Sequence, residues 1–208
     1  MERERIFTFS EEELQNLFPD LSVEISRNIS GSLASAFVSA VKSGVSKEGT
    51  TGFDIRKATE KDMKKISEVL LQSALEPVDL ETFINGFLVA EKESRIIGTV
   101  GMELYGHAGL LRSLAVEKTF RKTGVGRALV ERAAKWAVGQ GVSEIFLLTT
   151  TAREYFRKMG FREVRRVDLP PAVAESSQLA VSCPESSTVM AVSAEALLSF
   201  LQAGSPSV

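Results

Sequence analysis

The sequence predicts an α/β fold in which a mixed sheet is flanked by helices, and three stretches carry that prediction. Alternating apolar residues predict a three-stranded meander made of residues 87–91, 96–105 and 110–116. The last of these strands runs through a turn with two glycines into an amphipathic helix at 124–138. The apolar run Glu144–Thr149 then predicts a strand inside a sheet that is covered on both faces.

The first fifty residues predict a helical extension to this domain. Ser10 and Glu13 fit a capping box, and they predict a short helix that ends near Phe18. Apolar residues at four-residue spacing predict a second helix at 21–42. Its apolar stripe is a packing face, either within the chain or against a second copy in a homodimer.

A Gly/Ser/Thr-rich stretch at 43–52 predicts a linker and divides the chain. We expect a helical extension with its linker at 1–52, an α/β domain at 53–193, and a C-terminal helix with its tail at 194–208. The remaining predicted elements of the last two regions are a strand at 53–56, a helix from Glu60 capped by Thr59, a helical stretch at 75–86, a helix at 152–159, a strand at 161–167, a helix from Pro171, a strand at 188–192 and the helix Ala194–Gln202.

The composition excludes several classes of function. The net charge of −2 lacks the basic surplus of a general nucleic-acid binder. One cysteine, Cys183, excludes an intramolecular disulfide, and one histidine, His107, leaves no usual zinc ligand set, so we expect no metal. The N-terminus lacks the pattern of a signal peptide, and residues 28–41 are too few to span a bilayer. We therefore expect a cytoplasmic protein without membrane contact.

The turn before the predicted helix at 124–138 has the composition of a phosphate-binding loop. Gly124 and Gly126 remove side chains that would keep a pyrophosphate away from the backbone N–H groups of the helix N-terminus. Arg121, Lys122 and Arg127 add positive charge. The alternative is a glycine-containing helix start with solvated basic residues.

Two segments together resemble the GCN5-related N-acetyltransferase (GNAT) superfamily. Arg121-Lys122-Thr123-Gly124-Val125-Gly126 is similar to that family's acetyl-coenzyme A signature, and residues 152–161 resemble its A-x-x-x-Y-x-x-x-G-F helix. Over residues 53–193 the resemblance implies the GNAT fold, a centrally splayed mixed sheet, with acetyl-coenzyme A as co-substrate. It implies cofactor contacts for Leu114, Ala115, Val116, Arg121, Lys122, Thr123, Gly124, Val125, Gly126, Arg127, Thr149 and Phe156.

A narrower resemblance concerns the substrate class. Residues 109–116, residues 146–152 and a late segment with Pro170, Cys183 and Met190 are similar to the N-acetyltransferases encoded in arsenic-resistance operons. The LLTTTA run also resembles the acetyltransferase domain of N-acetylglutamate synthase. Both resemblances imply that the acceptor is a small amino-acid-like amine.

Glu103 and Arg112 are the candidate pair for acceptor chemistry. If residues 106–109 close a four-residue hairpin, Tyr105 pairs with Leu110 and Glu103 lies opposite Arg112. In one interpretation Glu103 is the base that deprotonates an ammonium, while Arg112 binds the carboxylate of the acceptor. In the other, the two residues form a cross-strand ion pair that only satisfies two half-buried charges. A bulge in this strand would shift the register by one residue.

The helix predicted at 152–159 departs from the family pattern. Phe156 stands where the family commonly has a tyrosine that is thought to protonate the leaving thiolate, and Tyr155 comes one residue earlier, about 100° around the helix. We expect Phe156 to pack against the cofactor. The run of threonines before this helix supplies an N-cap, and Thr150 together with Ser113 is a candidate for substrate contact.

The sequence therefore predicts an enzyme that transfers acetyl directly to the amino group of a small acceptor such as a glutamate-like or arsenical compound, since no residue looks like a covalent nucleophile. Two alternatives stay open. One is a non-catalytic acetyl-coenzyme A-binding module that contacts a partner protein, and the other is an acetyltransferase that acts on protein N-termini.

Overall fold

The computed structural model describes residues 52–176 and 187–203. The predicted N-terminal helices, the linker up to residue 51, Cys183 and the C-terminal tail lie outside these ranges. The described strands are β1 Asp54–Lys57, β2 Phe87–Lys92, β3 Arg95–Tyr105, β4 Ala108–Val116, β5 Glu144–Thr149, β6 Arg162–Glu163 and β7 Thr188–Ser193. The helices are α1 Met63–Gln72, α2 Leu80–Phe83, α3 Val125–Gly139, α4 Arg153–Arg157, α5 Pro171–Ala174 and α6 Ala194–Gln202, joined by four short 3-10 turns at Glu60–Asp62, Ile84–Gly86, Lys118–Phe120 and Arg166–Asp168.

The strands form one mixed sheet in the order β1-β2-β3-β4-β5-β7-β6. Neighbouring strands are antiparallel except for β4 and β5, which run parallel because α3 crosses from the end of one to the start of the other. Strand β5 is an interior strand between β4 and β7, as its continuous apolar sequence predicted.

The parallel pair is short, and this determines where a cleft can form. Only Ala108–Leu111 of β4 pairs with Glu144–Leu147 of β5, although β4 continues to Val116 and β5 to Thr149. The two strands therefore diverge in the middle of the sheet. The splayed sheet that the resemblance implied is present.

Helices cover both faces of the sheet. Helices α3 and α6 pack on one face, around a core cluster that includes Leu129, Ile145 and Met190. Helices α1, α2 and α5 cover the other face through two smaller clusters, which are centred on residues such as Phe87 and Leu110. Burial of these apolar side chains on both faces is the main stabilising contribution to the fold.

A charged cluster fixes the start of α1. Thr59 precedes the 3-10 turn Glu60–Asp62, and its backbone N–H donates to the Asp62 carboxylate at 2.8 Å. The Arg56 guanidinium donates to both oxygens of the same carboxylate, at 2.8 and 2.9 Å. These hydrogen bonds hold the pKa of Asp62 well below its usual range, with Arg56 as the largest cause. Thr59 occupies the N-cap position, as predicted, but of the 3-10 turn, and the α-helix itself begins at Met63.

The predicted register of the β3–β4 hairpin is wrong. The loop has two residues, Gly106 and His107, so that Tyr105 pairs with Ala108 and Glu103 pairs with Leu110. A β-bulge follows further along, where Ser113 and Leu114 of β4 together face a single residue of β3. The predicted hairpin loop was two residues too long because the apolar pattern alone does not specify the turn.

The bulge also changes which side chains share a face. Alternation along an unbroken strand places Leu110, Leu114 and Val116 together, but Leu110 packs in the cluster with α5 while Leu114 and Val116 pack in the cluster around α3. Arg112 and Leu110 stay on one face because both precede the bulge. Arg112 therefore lies on the face of Leu110 and not on the face of Leu114 and Val116.

Two other predicted elements differ in extent. The strand predicted at 161–167 is limited to Arg162–Glu163, and a 3-10 turn at Arg166–Asp168 replaces the rest. The helical stretch predicted at 75–86 contains only Leu80–Phe83 and a following 3-10 turn, because Pro77 disfavours a helical conformation in the residue before it. Among the residues that the structure describes, no helix is long and apolar enough to cross a membrane.

Candidate active site

A cleft with a volume of about 510 Å³ opens where β4 and β5 diverge. One wall is the end of β4 with its bulge, and the other is the end of β5 with the threonines that follow it. Residues 73–76, after α1, form a third wall. The predicted site residues that line the cleft are Arg112, Ser113, Leu114, Ala115, Val116, Arg121, Thr149, Thr150 and Phe156.

The unpaired end of β4 offers backbone groups to a ligand. No register pairs join β4 to β5 beyond Leu111 and Leu147. Ser113 adopts a φ of +54°, which is a strained conformation for a residue other than glycine. Because such strain recurs at binding sites, the bulge is a feature that re-aims the backbone of this strand toward the cleft.

The turn between β4 and α3 has a backbone geometry that can receive an anion. Lys122 and Gly124 both have positive φ, +66° and +92°, on either side of Thr123. Alternating backbone conformations of this kind point successive N–H groups into one concavity. Gly124 is the N-cap of α3, and no side chain caps that helix end. The first N–H groups of a fifteen-residue helix are thus left for a ligand.

The two arginines at the ends of this turn have different surroundings. Arg121 lines the cleft; it donates to the Val116 carbonyl at 2.9 Å and to the Ser73 hydroxyl at 3.2 Å. Arg127 donates to the Leu201 carbonyl at 2.8 Å and lies over the Phe200 ring. In this structure Arg127 therefore caps the C-terminal end of α6, where carbonyl groups lack intrahelical partners. Arg127 does not line the cleft, and its predicted cofactor contact stays a prediction.

Helix α4 presents its two aromatic residues to different places. Phe156 is buried and lines the cleft, at the position where the sequence led us to expect packing against a cofactor. The Tyr155 hydroxyl lies instead beside the turn, since a Cβ added to Gly126 would lie 2.9 Å from it. Burial raises the pKa of Tyr155 to about 12, so that the hydroxyl stays protonated near neutral pH. Tyr155 does not line the cleft beside Phe156.

Glu103 and Arg112 form a buried ion pair. Each residue is 3% exposed, and Arg112 Nη1 donates to Glu103 Oε1. The Tyr105 hydroxyl donates to Glu103 Oε2, and burial together with this carboxylate raises the pKa of Tyr105. Both carboxylate oxygens of Glu103 are therefore engaged. Glu103 does not line the cleft, and these contacts favour the ion-pair interpretation over the one in which Glu103 is the base.

Arg112 reaches the cleft with hydrogen-bonding capacity to spare. Its Nη2 donates to the Val78 carbonyl at 2.7 Å, and its guanidinium lies 5.8 Å from the centre of the Phe83 ring. Its Nε is buried and has no hydrogen-bond partner. A buried donor without a partner is costly, which makes this nitrogen a candidate contact for a carboxylate or a water molecule in the cleft.

The threonines after β5 divide their roles. The Thr149 hydroxyl accepts a hydrogen bond from the Ala152 N–H at 2.9 Å, so that it caps α4. The Thr149 hydroxyl keeps its own hydrogen for a second bond, so its predicted cofactor contact stays a prediction. Thr150 and Thr151 line the cleft together with it.

Sequence reasoning missed several residues that line the cleft, and two of them, Ser187 and Glu76, carry polar groups that can contact a ligand. Ser187 is 8% exposed, and its buried Oγ has no hydrogen-bond partner within residues 52–176 and 187–203. Antiparallel pairing of β7 with β5 brings it there, because its neighbour Thr188 pairs with Thr149. The other residue is Glu76, which lies in the wall after α1 and is exposed. Neither residue belongs to a recognisable motif.

The remaining single-residue predictions concern His107 and metal ligands. His107 is exposed in the hairpin loop, and its Nδ1 lies 3.1 Å from the Gly141 carbonyl oxygen. Within residues 52–176 and 187–203, no three His, Cys, Asp or Glu side chains group together as ligands of a metal ion.

Comparisons with known proteins agree with this geometry. Residues 84–163 match the family model described as an acetyltransferase (GNAT) domain. An uncharacterised N-acetyltransferase of Chlorobaculum tepidum is 35% identical over 91 residues, which are 43% of this chain and 58% of the relative. An amino-acid acetyltransferase of Pseudomonas aeruginosa is 36% identical over 97 residues, which are 46% of this chain and 22% of that enzyme. The chain thus spans only part of the length of these relatives.

Solved structures share the fold. N-acetylglutamate synthase from Neisseria gonorrhoeae, complexed with coenzyme A and N-acetyl-glutamate, superposes with a TM-score of 0.61 at 22% identity, over 68% of this chain and 35% of that one. The Mycobacterium tuberculosis protein Rv2747, in complex with CoA and NLQ, gives a TM-score of 0.59 at 22% identity, over 67% of this chain and 98% of that one. The splayed sheet and the uncapped helix accompany the sequence match, so that residues 84–163 are similar to a GNAT acetyltransferase domain.

Proposed function

We propose that the protein is an N-acetyltransferase that moves acetyl from acetyl-coenzyme A to the amino group of a small amino-acid-like acceptor. The observation that carries this proposal is the cleft along the unpaired end of β4, together with the uncapped N-terminus of α3, which follows the cleft-lining Arg121 in the chain. A long thioester with a pyrophosphate group fits such a site, because one end needs strand-like hydrogen bonds and the other needs free N–H groups.

The cofactor residues follow from this placement. The backbone of Leu114, Ala115 and Val116 would hold the pantetheine arm at the bulged strand, as the resemblance implied. The concave turn at residues 122–126 would hold the pyrophosphate, with Arg121 beside it. Phe156, with its buried ring against the cleft, would pack on the arm.

The reaction needs no covalent intermediate on the protein. The amine nitrogen attacks the thioester carbonyl carbon, a C–N bond forms, the C–S bond breaks, and the electron pair leaves with sulfur. The first ammonium proton goes to solvent or a carboxylate before attack, and the second proton, which the nitrogen loses as the amide forms, goes to the departing sulfur directly or through water. A thiolate with an ordinary pKa of about 8.5 is a tolerable leaving group. Ser187 lines the cleft and its buried hydroxyl has no partner among the described residues, so that it is a candidate donor to the charge on sulfur.

The acceptor class follows from Arg112. Its buried Nε lacks a partner and the residue lines the cleft, which suits recognition of a carboxylate. The similarity to amino-acid acetyltransferases over 97 residues supports the same class. We propose glutamate-like or arsenical amino acids as the first compounds to examine.

The test is a release assay for coenzyme A with a panel of amines that includes glutamate-like, neutral and arsenical amino acids and an N-terminal peptide. We expect turnover with amino acids and a rise of the melting temperature with acetyl-coenzyme A. Arg121→Ala should weaken binding of coenzyme A, whereas Arg132→Ala, an exposed position of α3, should not.

Two results would contradict the proposal. Turnover of the peptide but of no amino acid would favour a protein N-terminal acetyltransferase. Tight binding of acetyl-coenzyme A without turnover of any amine would favour the non-catalytic binding module.

A further inference from the structure

We infer that Glu76 binds the ammonium group of the acceptor and makes the site selective for zwitterionic amino acids. This inference deepens the proposed function and rests on it. Glu76 lies in the wall after α1, and neither the sequence motifs nor the family pattern assigns a role to any residue of this wall.

The charges in the cleft support this assignment. Among the described residues that line the cleft, Glu76 is the only carboxylate, while Arg112 and Arg121 are the cations. Glu103 cannot take the same role in this arrangement, because its two oxygens accept from Arg112 and Tyr105 and it does not line the cleft. A bound ammonium needs a negative partner in a partly desolvated site. Glu76 is the residue that supplies it.

The segment that carries Glu76 is anchored on both sides of it. Arg121 donates to the Ser73 hydroxyl at 3.2 Å, and Arg112 donates to the Val78 carbonyl at 2.7 Å. Both arginines come from the β4 side of the cleft. Pro77 follows Glu76 directly and biases its backbone toward an extended conformation. The wall is thus held in place by contacts from the strand that it faces.

The backbone of Glu76 lies close to the group that Arg112 contacts. Arg112 donates to the carbonyl of Val78, two residues after Glu76, and two extended residues span at most about 7 Å of backbone. Arg112 and Glu76 both line the cleft, so that they are candidates to bind the two charged groups of one small zwitterion. Because Glu76 is exposed, its carboxylate stays hydrated until the acceptor arrives.

The test compares two ligands that differ only in the ammonium group. Binding of an amino acid that the wild type acetylates, and of the N-acetylated form of the same amino acid, is measured by calorimetry on the full chain with coenzyme A present. We expect Glu76→Gln to lower the affinity for the amino acid about tenfold and to leave the affinity for the N-acetylated form unchanged. The KM for the acceptor should rise by a similar factor, with kcat changed less.

Glu81→Gln is the matched control, since Glu81 is an exposed glutamate on the neighbouring helix α2 and does not line the cleft. If Glu76→Gln binds both ligands as the wild type does, the assignment of Glu76 is wrong and the proposed function stands. If both ligands weaken equally, Glu76 acts on the wall and not on the ammonium, which also overturns the assignment. If the wild type binds coenzyme A but no amino acid, the proposed acceptor class is itself wrong.

Discussion

Arg112 and Glu103 lie diagonally across the β3–β4 pair, with Arg112 paired to Gly101 and Glu103 paired to Leu110, yet their side chains form a buried ion pair. Diagonal neighbours on one face of a sheet are within reach of long side chains. Because Gly101 has no side chain, it leaves room beside Arg112 for this contact. The sequence predicted that the two residues lie directly opposite each other. Their side chains do form a pair, but the register of the strands places them diagonally.

We expect removal of Glu103 alone to lower the free energy of unfolding more than removal of both charges does. Glu103→Leu leaves the buried Arg112 guanidinium without its counter-ion and should lower the free energy of unfolding by about 3–5 kcal/mol. The double variant Glu103→Leu/Arg112→Met should recover much of that loss, because no uncompensated charge remains. Urea unfolding of the wild type, the two single variants Glu103→Leu and Arg112→Met, and the double variant gives the coupling energy. Additive losses would contradict a direct interaction between the two residues.

The pH profile of Glu103→Gln separates a positioning role from that of a base. If Glu103 only holds Arg112, the variant should raise the KM for the acceptor about tenfold and keep the acidic limb of kcat/KM at the wild-type pH. The measurement is the acetylation rate between pH 5 and 9. Loss or displacement of that limb would restore Glu103 as the general base.

Ser187→Ala should slow the chemical step. Loss of one donor to a developing negative charge lowers kcat by about ten- to a hundredfold, with little change in either KM. Steady-state kinetics of coenzyme A release measure both. The control is Ser193→Ala at the other end of β7, where the hydroxyl caps α6. Ser193→Ala should lose about 1 kcal/mol of stability and no activity. An unchanged kcat in Ser187→Ala would show that Ser187 takes no part in the mechanism.

Gly126→Ala should weaken coenzyme A binding without unfolding the protein. The new Cβ would lie 2.9 Å from the Tyr155 hydroxyl and 3.6 Å from Val116 Cγ2, so that Tyr155 must move or the turn must shift. In Gly139→Ala, at the other end of the same helix, the Cβ meets nothing within 4 Å, and the helix should gain stability. Coenzyme A titration and thermal unfolding distinguish the two variants.

The double variant Gly126→Ala/Tyr155→Phe identifies the cause of the loss at Gly126. Removal of the hydroxyl relieves the short contact, so that affinity should return if Tyr155 is the obstacle. If affinity stays low, the methyl group itself keeps the pyrophosphate away from the backbone.

Asp62→Asn should destabilise the protein in a pH-dependent manner. The pKa of Asp62 is lower in the folded protein than in the unfolded chain because Arg56 and Thr59 donate hydrogen bonds to its carboxylate. The stabilisation is therefore complete above the unfolded pKa of about 4, and it is lost as the pH falls through the folded pKa. We expect a loss of about 1–3 kcal/mol at pH 7 and a smaller difference at pH 3, measured by urea unfolding. A difference that does not depend on pH would contradict the ionic contribution.

Sequence periodicity was sufficient for much of the fold. The strand Glu144–Thr149 and the helix Ala194–Gln202 form as predicted, because continuous and amphipathic apolar patterns each favour one buried arrangement. The strand predicted at 161–167 is short because its polar residues lie at the sheet edge, where little apolar surface is buried.

The site was only partly predictable. The turn at 121–126 has a local signature, since glycines and basic residues follow a strand directly. Ser187 has no such signature, because it reaches the cleft only through the pairing of β7 with β5, 38 residues after Thr149 in the sequence. The position of the bulge at Ser113 could not be read from the sequence either, because the apolar pattern of this strand is compatible with a regular and with a bulged strand.

The divergence of β4 and β5 gives the sheet an open edge in its interior. Between Arg112 and Val116 the β4 backbone faces the cleft without a partner strand on that side, which is the kind of surface on which another chain can add as a strand. A bound thioester arm would cover this surface. We therefore expect the ligand-free protein to self-associate on heating at a lower temperature than the coenzyme A complex. The difference between the two association temperatures should exceed the difference between the two melting temperatures.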